Sequence, residues 1–276
     1  MAFIDEPNNI LSRVHLGGLN FGSCWDKNNL RHLLDKIVPL GISNIEVAPL
    51  YGNGNCINTL EQAIIQRGIS VDKVKISYKY GLKPVLNPNK SFGVKPFCFS
   101  IETLRQELDQ LSNEFNSSLD SLQLHCPLSN LSDQFIQKLM DFLKERNLKF
   151  GISNHSPIQI IELERALEKS DVKIDFAQFH FNFYQQALRK DILYQAKSKT
   201  IWINRSIARG VLTNVFFQSS DKLDMNSRRQ NSHRIKNEIC QNKDLLERLK
   251  PHLLNLSKKT GCPISVLMVF YCLKII

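Results

Sequence analysis

A chain of 276 residues with 42% hydrophobic and 9% aromatic side chains excludes disordered, collagen-like and low-complexity classes. A chain of this size buries roughly 75% of its unfolded surface, so neither a disulfide nor a metal is needed to hold a core. The 36 Lys plus Arg against 26 Asp plus Glu leave a net charge of +10; the lysines are spread along the chain, so the charge does not by itself mark a nucleic-acid surface.

Short β-type runs alternate with helical periodicities. Arg13 to Leu16 reads as a first strand. Leu30, Leu33, Leu34, Ile37 and Val38 follow helical spacing, with Gly41 placed as a C-cap. Ser43 to Ala48 reads as a second strand, Asn58 to Gln66 as a helix, and Val74 to Lys79 as a third strand. Ile101, Leu104, Leu108, Leu111 and Phe115 form one continuous helical stripe behind the N-cap Ser100. Leu122 to His125 is a fourth strand, Ser132 to Asn147 a helix with Phe135, Leu139, Phe142 and Leu143 inward, and Lys149 to Ile152 a fifth strand. A helix from Pro157 to Glu168 begins on a residue suited to the first helical turn. Ile174 to His180, a helix from Arg189 to Lys197, and Thr200 to Asn204 complete seven strands. A polar stretch from Gln218 to Gln241 then precedes two more helical patterns, Leu245 to Leu256 and Ile264 to Leu273.

Seven β-then-α units in series predict a parallel barrel or a doubly wound sheet, within a single domain over 1–276. No GxGxxG follows the first strand and no GxxxxGK[ST] loop occurs, which favours the α/β barrel, of the TIM-barrel type, over the doubly wound sheet. Ile264 to Leu273, the longest apolar stretch, falls short of the about 20 residues of a membrane span. Asp5 and Glu6 stand where a leader would carry basic residues, so no secretory signal is expected. Seven cysteines, at 24, 56, 98, 126, 240, 262 and 272, form no CxxC pair; reduced thiols in a cytoplasm and no metal site are expected. The densest basic cluster, Arg228, Arg229, His233, Arg234 and Lys236, has no interleaved aromatic residue, so no nucleic-acid partner is expected either.

Barrel enzymes carry their chemistry at the C-terminal ends of strands. Here successive ends supply Glu46 and Tyr51, then Lys79, then His125. A phenol titrates too high to share its proton easily at neutral pH; a nearby ammonium favours the phenolate, and a carboxylate orients the ammonium. Tyr51 thus qualifies as a general acid toward a carbonyl oxygen.

The segments LGGLNFG (16–22), IEVAPLYGNGN (45–55), KISYKYG (75–81), LQLHCP (122–127), KFGISNHS (149–156), FAQFHFN (176–182) and RSIARGVLT (205–213) run in the order of the aldo/keto reductase family, which the sequence resembles. The resemblance implies a (β/α)8 barrel that binds NADP(H) in preference to NAD(H) and reduces a small-molecule aldehyde or ketone. It implies that the family's Asp-Tyr-Lys-His tetrad falls on Glu46, Tyr51, Lys79 and His125. Cofactor contacts fall on Gly18, Ser153, Asn154, Gln178, Arg205 and Ser206. The Arg205-Ser206 pair is similar to a branch found among surface-polysaccharide biosynthesis genes.

Four departures stand out. The tetrad acid is Glu46 rather than Asp, an added methylene worth roughly 1.5 Å, and misplacement on the order of 1 Å can cost about 10²-fold in rate. Asn204 stands where many members stack an aromatic ring. The usual Glu after the Tyr-Gly turn is absent at Asn55 and Cys56, and Glu61 replaces a usual Gly. The chain also stops at Ile276, before the family's eighth strand, last helix and 2′-phosphate grip. The expectation is a C-terminally short barrel whose apolar last helix lacks its customary partner. The basic cluster at 228–236 reads as a solvated polar loop, with phosphate contacts from Arg228, Arg229 or Arg234 as the alternative. The alternative is a weak or inactive barrel that binds or regulates. A Schiff-base lyase on Lys79 is disfavoured, because Glu46 nearby opposes a depressed lysine pKa.

Overall fold

The computed structural model describes residues 7–67, 73–86, 92–96, 100–128, 132–168, 170–186, 189–195, 198–218, 237 and 239–275. Cys98 and the basic cluster at 228–236 lie outside the described residues. The chain divides into two compact units, Met1–Phe176 and Ala177–Ile276.

The first unit is built on strands β1 (His15–Gly17), β2 (Asn44–Val47) and β3 (Lys75–Tyr80). After a short hairpin of β4 (Leu82–Leu86) and β5 (Phe92–Pro96) come β6 (Leu119–Leu124) and β7 (Lys149–Ser153). β1, β2, β3, β6 and β7 pair in that order, all parallel. The hairpin is antiparallel and separate. Sequence patterning does not announce it, because Pro84 and Pro96 sit inside it and proline removes a ladder donor.

Each helix of this unit whose start is capped begins where a side chain satisfies an orphan N–H. The Asp26 carboxylate accepts from Asn29 N at the start of Lys27–Ile37. Ser132 caps Asp133–Glu145, where Ile136, Leu139, Met140, Phe142 and Leu143 are buried and Phe135 is only half-buried. Pro157–Leu167 opens on a full capping box between Ser156 and Gln159.

The stripe from Ile101 to Phe115 is two helices rather than one, Ile101–Asp109 and Asn113–Ser117. Ser112 breaks it by capping the second helix through Phe115 N. Glu61, one of the departures noted above, accepts from the backbone N–H of Ser112 at 2.5 Å. The acid therefore holds the start of the second helix in place, a favourable position for negative charge.

Gly52 follows the second strand and has φ +58; a Cβ there would lie 1.6 Å from the Phe21 carbonyl oxygen. Only glycine fits that approach, and it fixes the turn that begins with Tyr51.

In the second unit, Phe181 N donates to Asn204 O, joining the end of β8 (Phe176–His180) to β9 (Thr200–Asn204). A loop then leads to the helix Asn214–Gln218 and to two longer helices, Lys243–Thr260 and Ile264–Ile275. Ala208, Val211, Leu212, Phe217, Leu246, Leu253, Ile264 and Met268 form its core. The apolar last helix does find partners here. Ile264 N donates to Asn214 Oδ1 at 2.6 Å, and Tyr271 stacks on Phe181 with ring centroids 6.3 Å apart. No described helix is long and apolar enough to cross a membrane.

Candidate functional site

Four side chains converge in the first unit from three strands. Glu46 comes from β2, Lys79 from β3, His125 from the residue after β6, and Tyr51 from the turn held by Gly52. Glu46 is 7% exposed, Tyr51 9%, Lys79 2% and His125 6%. These are the four residues singled out from the sequence.

One carboxylate oxygen organises the group. Glu46 Oε1 pairs with Lys79 Nζ at 3.0 Å and accepts from the Tyr51 hydroxyl at 3.1 Å. Lys79 Nζ in turn donates to the Tyr51 oxygen at 3.1 Å. The longer acid is thus not displaced from the cluster; its carboxylate reaches both the ammonium and the phenol. The His125 ring meets the Tyr51 ring edge-on, centroids 5.5 Å apart at 82°.

Burial lowers the His125 pKa to about 3, and the Lys79 ammonium acts in the same direction, with Glu46 partly opposing. The ring is therefore neutral at physiological pH. In that form it offers one N–H donor and one acceptor.

The unfolded chain binds this proton below about pH 6.5 while the folded chain does not, so stability falls as the pH drops through that window. His15 and His155, both lowered chiefly by burial, add to the same slope. Urea midpoints measured from pH 7 to pH 4 should fall less steeply in His125→Gln than in the parent. Equal slopes would show that His125 titrates normally.

Gly18, in the turn after β1, is buried; a Cβ there would lie 2.8 Å from the Glu46 carbonyl oxygen and 2.9 Å from Cys56 Sγ. It lets this turn lie against the strand that carries Glu46. Ser153 ends β7, and Asn154 follows it with φ +61. Asn154 Nδ2 donates to His125 O at 2.8 Å and to Ser153 Oγ at 3.2 Å. His155, not singled out from the sequence, is buried with Nδ1 2.9 Å from Ser153 O.

Gln178, Arg205 and Ser206 belong to the second unit. Asn204 Nδ2 donates to Gln178 Oε1 at 2.8 Å, and Asn204 Oδ1 bonds to the ring of His180. The residue standing in place of a stacking aromatic is thus tied to a predicted cofactor contact. Arg205 has φ +60, a conformation that costs a non-glycine residue energy and clusters at functional sites. Asn154 and Arg205 thus adopt the same unusual backbone directly after β7 and β9.

The hydroxyl of Ser153 and the carboxamides of Asn154 and Gln178 are of the right chemistry for a nicotinamide carboxamide, which needs both a donor and an acceptor. Each residue type by itself fits that group, and Asn154 and Gln178 would share or exchange their present bonds to receive it.

A further set escaped the sequence reading. Ser77, Ser121 and Gln123 are buried polar residues, and Ser77 Oγ, Ser121 Oγ, Gln123 Oε1 and His125 Nδ1 have no hydrogen-bond partner among the described residues. Their signal is the alternation of polar residues in KISYKY and LDSLQLH, which places Ser77 and Lys79, and Ser121, Gln123 and His125, on one face.

The family model described as "Aldo/keto reductase family" matches residues 13–274. No curated protein sequence matches the chain. Among solved structures, a glycerol dehydrogenase from Gluconobacter oxydans superposes with a TM-score of 0.71 at 21% identity, over 95% of this chain and 79% of that one. A thermostable aldo-keto reductase in complex with the inhibitor epalrestat gives 0.62 at 16% identity, over 93% and 78%. An aldo/keto reductase from Klebsiella pneumoniae in complex with NADP and acetate gives 0.54 at 18%, over 75% and 69%. At these identities the likeness concerns the fold.

Proposed function

Because the chain belongs to the aldo/keto reductase family, we propose that it is an NAD(P)H-dependent oxidoreductase that reduces an aldehyde or ketone to an alcohol. The observation that carries the reading is the Tyr51 hydroxyl held between Lys79 and Glu46. The cofactor, when bound, supplies the hydride. Tyr51 donates the proton to the carbonyl oxygen of the substrate. The Lys79 ammonium, 3.1 Å from the phenol oxygen, stabilises the negative charge that develops there as the proton leaves. Glu46 holds that ammonium in place. Neutral His125 orients the carbonyl oxygen by hydrogen bonding. Ser153, Asn154 and Gln178 hold the nicotinamide carboxamide, with Gly18, Arg205 and Ser206 as further cofactor contacts. NADP(H) is preferred over NAD(H), in line with the NADP complex of the Klebsiella protein. The whole chain acts as one catalytic domain in a reducing cytoplasm.

A second reading, a barrel that binds or regulates without turning over, is favoured by one observation. Gln178 Oε1 already accepts from Asn204, which competes with a nicotinamide amide. Fluorescence titration with NADPH and NADH, followed by a generic aldehyde, separates the two. Binding of NADPH with oxidation of the cofactor is expected; binding without oxidation, or no binding of either cofactor, favours the second reading.

A further inference from the structure

Glu46, Ser77 and Ser121 form one row across three neighbouring strands. Glu46 pairs with Ser77, and Ser77 with Ser121. The last pairing exists because the β3–β6 register shifts between Ile76 and Ser77, so that Leu119 faces Ile76 but Ser121, not Asp120, faces Ser77. An irregularity of this kind re-aims side chains.

The hydroxyls of Ser77 and Ser121 are buried and unpartnered among the described residues, as is Gln123 Oε1. Buried polar atoms without protein partners are characteristically satisfied by internal water. Strands about 4.8 Å apart put Ser121 roughly 10 Å from Glu46, a gap that two or three waters span at hydrogen-bonding distance.

Below this row lies a cavity whose lining reaches Lys75 and Asp120 and stops short of Ser77 and Ser121. About 650 Å³ opens at the N-terminal ends of the strands, lined by Lys75, Ser118, Asp120, Arg146, Lys149 and Asp175 among others. The lining is polar and charged, so water enters it. Asp120 immediately precedes Ser121, and Lys75 lies two residues before Ser77. His15, on β1, senses both ends: burial lowers its pKa, while the carboxylates of Glu46 and Asp120 each partly offset that.

We propose that Glu46, Ser77 and Ser121 line a water-filled polar column that returns protons from this cavity to Tyr51 from below. The proposal rests on the reductase reading. In each turnover Tyr51 gives one proton to the substrate oxygen and is left as phenolate. Glu46 takes one proton from the adjacent water and passes it to that phenolate along the 3.1 Å hydrogen bond. Bulk water replaces it through the cavity. One proton enters for each one spent, and no electron moves in the relay.

Valine and threonine at position 121 have nearly the same shape and differ in the hydroxyl. Ser121→Val is expected to lower steady-state kcat about tenfold, less than the 10²–10⁴ of a direct proton donor because Ser121 acts through water. It should also raise the solvent deuterium isotope effect, with KM and the single-turnover rate of cofactor oxidation unchanged. Ser121→Thr should restore the parent values. Ser77→Ala, which adds no bulk, should move kcat and the isotope effect in the same direction if Ser121→Val fails to fold. Equal kcat and isotope effects in the parent, Ser121→Val and Ser77→Ala would overturn the column. A parent without turnover would overturn the reductase reading instead, and the relay with it.

Discussion

Tyr51→Phe is expected to abolish carbonyl reduction while leaving cofactor binding and the fold intact. The substitution removes a single oxygen from a ring that is 9% exposed and keeps the edge-on contact with His125. What it deletes is the proton donor. Positioned acid–base groups contribute about 10²–10⁴-fold, and here the same oxygen is also the point at which the Lys79 charge acts. The loss should therefore reach at least the upper part of that range. Phenylalanine leaves the Lys79–Glu46 pair at 3.0 Å without a phenol between its members, but the pair still neutralises itself. Thermal midpoints and NADPH titrations should match the parent. A variant with parental kcat would refute Tyr51 as donor; one that no longer binds NADPH would show that Tyr51 acts in binding rather than proton transfer.

The elements that position this site are largely readable in the sequence, for physical reasons that also explain the exceptions. β9 is legible at Thr200–Asn204, because a compact apolar run is bounded by polar residues on both sides. The tetrad is readable because its members sit at strand ends, where chain order maps onto spatial order. The break at Ser112 is not, since the apolar stripe continues through it at helical spacing and only the cap and the distant Glu61 carboxylate reveal the interruption. Contacts that cross strands through side-chain rotamers are out of reach as well. Asn204 stands out as a departure, but its bond to Gln178 depends on two side chains 26 positions apart meeting on neighbouring strands. The register shift beside Ser77 is another such case. It moves Ser121 opposite Ser77, and no local pattern announces an extra residue in one strand.

Lys79→Met and Glu46→Gln should each destabilise the protein strongly, and the double variant should recover much of that loss without recovering activity. Both partners are nearly inaccessible, at 2% for the lysine side chain and 9% for the glutamate. Removing one leaves the other's charge buried without its counter-ion, which costs about 3–5 kcal/mol, whereas replacing both charges with neutral groups of similar size is often close to neutral. The single losses should therefore be far from additive, with a coupling well above the about 0.5–3 kcal/mol usual for contacting residues. Urea denaturation of the four proteins measures this directly. Kinetics must diverge from stability in the same set. A thioether in place of the Lys79 ammonium cannot supply the positive charge beside the phenol oxygen, so the double variant should fold well yet turn over at least about 10²-fold more slowly than the parent. Additive losses in stability would mean that the pair is better solvated than its burial suggests. Recovered turnover in the stable double variant would show that the charge beside Tyr51 serves the fold and not the reaction.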